Sequence, residues 1–88
     1  MAENQEKPLE ILVIDDEEDV REIIADNIKY MGEKYGINIK VSQASGGQEG
    51  IDEFQSKLGT AQQYNGVLTD LKMPNVNGVQ VVENVKKM

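Results

Sequence analysis

Three aspartates stand out by where they fall in the chain. Asp15 and Asp16 follow directly on the apolar run Ile11-Leu12-Val13-Ile14, and Asp70 follows Val67-Leu68-Thr69. A carboxylate at the end of a strand can hold a hard cation or act as a nucleophile. Taken singly, each has a plainer reading: Asp15-Asp16 as the acidic start of a helix, Asp70 as a turn residue. Asp70 followed by Met73-Pro74 tips the balance towards a shared site. Other chemistries are closed. The 88 residues include no His and no Cys, which removes zinc fingers, thiol nucleophiles, disulfides and His-based acid–base catalysis. Asp and Glu total 16 against 9 Lys and Arg, a net charge of −7. That balance disfavours a nucleic-acid backbone as a direct partner and suits a divalent cation or a basic protein surface.

The elements that must position these residues read as alternating strands and helices. Ile11 to Ile14 suits a strand buried on both faces of a parallel sheet. Val20, Ile23, Ile24, Ile28 and Met31 recur at helical spacing and predict a first helix whose stripe enters the core. Ile37, Ile39 and Val41 alternate with polar residues, as in an edge strand. Ser45-Gly46-Gly47 turns the chain into a second helix carrying Ile51, Phe54 and Leu58. The Gly pair reads as a turn, since no phosphate-loop pattern follows it. Val67-Leu68 begins a third strand ending at Asp70, and Pro74 forces a loop from Met73 to Gly78. A third helix is expected over about residues 79–88, with Val79, Val82 and Val85 in the core. Tyr30, Tyr35 and Tyr64 fall near helix ends or loops, where partial burial is expected.

Strand–helix alternation predicts an α/β fold with a doubly wound parallel sheet and right-handed crossovers. Ligands of such sheets bind beyond the carboxyl ends of the strands, where strand order reverses. With the first strand between the second and third, Asp15, Asp16 and Asp70 face one crevice, and a divalent cation would relieve their mutual repulsion. Magnesium accepts one or two carboxylates together with water, carbonyls and a phosphate oxygen. Residues 1–8 form a polar tail ending at Pro8 and lack the apolar centre of a signal peptide. No apolar run approaches the roughly 20 residues that span a bilayer, so a cytoplasmic location without membrane partners is expected.

The acidic pair in Ile11 to Glu17, together with Val67-Leu68-Thr69-Asp70-Leu71-Lys72-Met73-Pro74 and Gly78, resembles the receiver domain of two-component response regulators. Ala44 to Glu49 is similar to that family's turn into its second helix, whereas Gly50 stands where Ala is usual. The resemblance covers about residues 9–88 and implies a flavodoxin-like (CheY-like) sheet of which the first three βα units are present. It implies Asp70 as phosphoryl acceptor, with a histidine kinase or phosphotransfer protein as donor. Mg2+ would be held by Asp15, Asp16, Asp70 and the backbone carbonyl of Lys72, with Asp15 acting mainly through water. It marks a signalling domain rather than an enzyme. A magnesium-dependent phosphohydrolase of the haloacid dehalogenase type fits less well, because that type wants D-x-D after its first strand.

The family normally continues through two further strands and helices. Those carry a Ser or Thr and a Lys that contact the phosphoryl group. The resemblance therefore implies the N-terminal portion of a receiver over residues 9–88, impaired in phosphoryl acceptance. Lys86 and Lys87 lie on the third helix and do not replace the missing Lys. An alternative is a non-catalytic assembly module, a homo-oligomer formed through an open sheet edge beside the third strand.

Overall fold

The computed structural model describes residues 7–88, so most of the polar tail read at residues 1–8 lies outside the described residues. Three strands and three helices alternate: β1 (Leu9–Ile14), α1 (Glu18–Tyr35), β2 (Ile39–Ala44), α2 (Gly47–Lys57), β3 (Gly66–Thr69) and α3 (Gly78–Lys87). The strands form one parallel sheet in the order β2-β1-β3, as the sequence predicts. β1 is central, and Leu12, Val13 and Ile14 are fully buried there between helices on both faces. Its register places Ile14 beside Ala44 and Thr69, so the acidic pair leaves the sheet between two other strand ends.

The main core lies on the face covered by α2 and α3. It joins Leu12 and Ile14 of β1 to Ala44, Ile51, Tyr64, Met73 and Val81, with Phe54, Val67, Val76 and Val85 packed around them. Ala44, Val76 and Val81 were not read as core, and neither were Met73 and Tyr64. Met73 belongs to the loop after Asp70, yet its side chain is buried and anchors that loop from below. Tyr64 is buried just before β3, and its hydroxyl donates to Glu53 Oε2 at 2.6 Å. Burial, with the Glu53 carboxylate next, pushes its pKa up to about 12. A raised pKa favours the neutral phenol in the folded state. Stability is therefore expected to be intact below pH 10 and to fall as pH rises from 10 to about 12. Denaturation midpoints of the wild type and Tyr64→Phe across that range check this: the wild type should lose more stability than the variant.

The first helix keeps only part of its predicted stripe: Ile24 and Ile28 are partly covered. Its buried residues are Ala25 and Gly32, while Val20, Met31 and especially Ile23, 60% exposed, lie at the surface. The cause is close packing. At Gly32 an added Cβ would meet the Ile37 carbonyl oxygen at 2.9 Å and the Ile39 side chain at 3.2 Å. Small residues thus turn towards the sheet, and Ile24 shares a shallow cleft with Leu68, itself half exposed. α3 departs similarly. Val79 and Val82 are exposed, and the buried line runs through Gly78 and Val81 with Val85 partly covered. Tyr30 and Tyr35 are likewise exposed, against the partial burial expected of them. Among the described residues, β3 pairs with β1 alone, and an apolar groove of Val67, Val82 and Val85 runs beside it.

Gly50, the position where alanine is usual, has a local explanation. A Cβ there would run into the Ile14 side chain, reaching Cδ1 and, at 2.7 Å, Cγ1. Ile14 has filled the space that a methyl group at position 50 would need. Gly50→Ala is therefore expected to destabilise despite a gain of about 1 kcal/mol in helix propensity, because overpacking a core costs about 1–3 kcal/mol. Ile14→Val alone should cost about 0.5–1.5 kcal/mol. The double variant should be more stable than the sum of the two effects by about 1 kcal/mol. Urea denaturation of the four proteins measures this coupling, and strict additivity would refute it.

Candidate metal centre

β1 and β3 end side by side. The Asp15 N–H donates to the Ala44 carbonyl at 3.2 Å, and the Asp70 N–H donates to the Ile14 carbonyl at 3.0 Å. The ladder thus extends one residue past each strand and fixes both aspartate backbones. Asp15, Asp16 and Asp70 each present a carboxylate oxygen within 4.8 Å of the others. Their burial is graded: Asp15 is buried, Asp70 intermediate and Asp16 exposed. The crevice therefore opens towards Asp16. One buried and two more accessible carboxylates suit a cation that keeps part of its water shell.

The carboxylates differ in what already engages them. Asp15 Oδ1 accepts the Glu17 N–H at 2.9 Å, which ties it into the turn before α1. The acidic residues do not cap that helix by side chain; Glu17 occupies the N-cap in extended conformation. Asp70 Oδ1 accepts the Lys72 N–H at 3.3 Å, a long bond on a half-exposed group. Lys72 itself is exposed. Thr69 Oγ1 donates to the Asp70 carbonyl at 3.0 Å.

The loop after Asp70 is clamped at two points by glycines. A Cβ on Gly78 would collide with the Asp70 carbonyl oxygen and lie 2.8 Å from Leu71 Cα. A Cβ on Gly47, the first residue of α2, would collide with the Val76 carbonyl. Between the clamps Asn75 adopts a left-handed conformation, φ 69°, which Asn tolerates better than most residues. A capping box then starts α3: Asn77 Oδ1 accepts the Gln80 N–H at 2.9 Å, and Gln80 Oε1 accepts the Asn77 N–H at 2.8 Å. The sequence reading missed this N-x-x-Q signal, which was legible at Asn77 and Gln80.

The comparisons agree with this geometry. The response regulator receiver domain family matches residues 11–88, and the chain belongs to that family. Its strands and helices have the CheY-like arrangement. Among solved structures it is similar to the chemotaxis protein CheY4 of Vibrio cholerae, with TM-score 0.73 and 20% identity over 91% of this chain and 57% of that one. It is also similar to a response regulator receiver protein from Pseudomonas putida, with TM-score 0.69 and 21% identity over 92% of this chain and 59% of that one. The chain thus spans under three fifths of the length of either structure. No curated protein matches it in sequence. No helix among the described residues is long and apolar enough to cross a membrane.

Proposed function

We propose that this chain forms the acceptor half of a phosphoryl-transfer switch, with Asp70 as acceptor and Asp15 and Asp16 as magnesium ligands. The observation that carries this reading is the convergence of three carboxylate oxygens within 4.8 Å at the ends of β1 and β3. The donor would be a histidine kinase or a phosphotransfer protein. The Asp70 carboxylate forms a P–O bond as the donor's P–N bond breaks, and the electron pair leaves with the imidazole, which takes a proton from water. Bound by Asp15, Asp16, Asp70 and the Lys72 carbonyl, Mg2+ would offset the negative charge on acceptor and phosphoryl group. The protein supplies position: β1 and β3 hold both aspartate backbones in the ladder, and the clamped loop holds Lys72 beside the acceptor.

NMR titration with Mg2+ tests the site. Shifts should cluster at Asp15, Asp16, Asp70 and Lys72, and Asp16→Asn should weaken binding by about tenfold or more. Shifts that survive in Asp16→Asn and Asp70→Asn combined would rule the site out. A second reading, assembly through the free side of β3, is favoured by the apolar groove beside that strand. The same spectra separate the two. Assembly would broaden residues 66–69 and 82–85 with rising protein concentration, independently of metal.

A further inference from the structure

Arg21 reaches from the first turns of α1 across two strand ends. Its Nη1 donates to the Asp15 carbonyl oxygen at 2.8 Å, and its Nε donates to Gln43 Oε1 at 3.0 Å. Gln43 lies near the end of β2, in register with Val13. Asp15 is thereby held at three points: its N–H by Ala44, its carbonyl by Arg21 and its carboxylate by the Glu17 amide. The guanidinium grips a carbonyl rather than a carboxylate, so these contacts do not compete with a cation for acidic oxygens. Its rigid planar fork can serve two acceptors in different directions, which the point charge of a lysine does less well.

We infer that Arg21 is a positioning residue for the acidic site. By bridging the Asp15 carbonyl and Gln43 it fixes the turn that aims the Asp15 and Asp16 carboxylates at Asp70. The inference rests on the metal reading above and adds to it a residue that touches neither cation nor phosphoryl group. It also gives Gln43 a role, as the fixed post to which the arginine is moored.

The experiment compares wild type, Arg21→Met, Arg21→Lys and Gln43→Leu by amide hydrogen exchange and Mg2+ titration. Tyr64→Phe, altered at the opposite end of the sheet, serves as a control for lost stability. In Arg21→Met the Glu17 amide should exchange about tenfold faster, the scale of one hydrogen bond. Its Mg2+ affinity should fall by about tenfold, as for other residues that orient metal ligands. Arg21→Lys should recover only part of both effects. Gln43→Leu should shift both in the same direction by less, and decides the matter if Arg21→Met does not fold. Tyr64→Phe should move neither readout. Unchanged Glu17 exchange, or faster exchange with unchanged Mg2+ affinity, overturns the inference. Failure of the wild type to bind Mg2+ defeats the metal reading instead. Glu17 exchange then decides by itself whether Arg21 orders the acidic turn.

Discussion

Asp70→Asn is expected to abolish labelling by a small acyl-phosphate donor in the presence of Mg2+, a loss of at least about a hundredfold in rate. The reason lies in the different engagement of the three carboxylates. Asp15 is buried and bound to the Glu17 amide, so little of it faces a donor. Asp16 is exposed but stands at the outer rim. Asp70 combines partial exposure with a fixed backbone and a nearby N–H donor from Lys72. That amide can bond an oxygen of the transferred group once the long 3.3 Å contact gives way. Asp16→Asn should retain the nucleophile and lose rate only through weaker metal binding. Mass spectrometry of the labelled protein, with the modified peptide identified by hydroxylamine lability, makes the comparison. A label that persists in Asp70→Asn would transfer the acceptor role to another residue and defeat the assignment.

Gly78→Ala is the largest structural effect expected. The added methyl would meet the Asp70 carbonyl and the Leu71 Cα, both backbone. No flexible side chain can swing aside, so α3 must back away or the end of β3 must move. Either response disturbs the core, because Val81 is completely buried one turn further along. A loss of about 3 kcal/mol or more is expected, at the upper end of overpacking costs. Thermal denaturation measures the loss. The largest amide shifts in any folded fraction should fall at Asp70 and Leu71. A midpoint close to that of the wild type would show that the contact relaxes cheaply.

What could be read from the sequence follows the length over which a pattern repeats. Ile11 to Ile14 announces a buried strand because four apolar residues in succession have no wet face to offer. The three aspartates were legible because each ends a strand, and the strand order brings those ends together. The faces of α1 and α3 were harder. Periodicity ranks residues by apolarity, but Gly32 and Gly78 enter the packing because they are small. Ile23 and Val79 are displaced to the surface as a result. Met73 and Tyr64 have no periodic neighbours, so their burial could be learned only from the tertiary arrangement. The mooring of Asp15 through Arg21 links residues 22 positions apart and depends on the register between strands.

The contact between Gly50 and Ile14 also constrains how such a chain can drift by single substitutions. Adding a methyl group at position 50 first would pass through a protein with a crowded core. Trimming residue 14 first would pass through one with a small void. The two routes reach the same end through different intermediates. Lineages carrying alanine at the position of Gly50 should therefore carry a shorter or differently shaped side chain at the end of β1, next to the acidic pair.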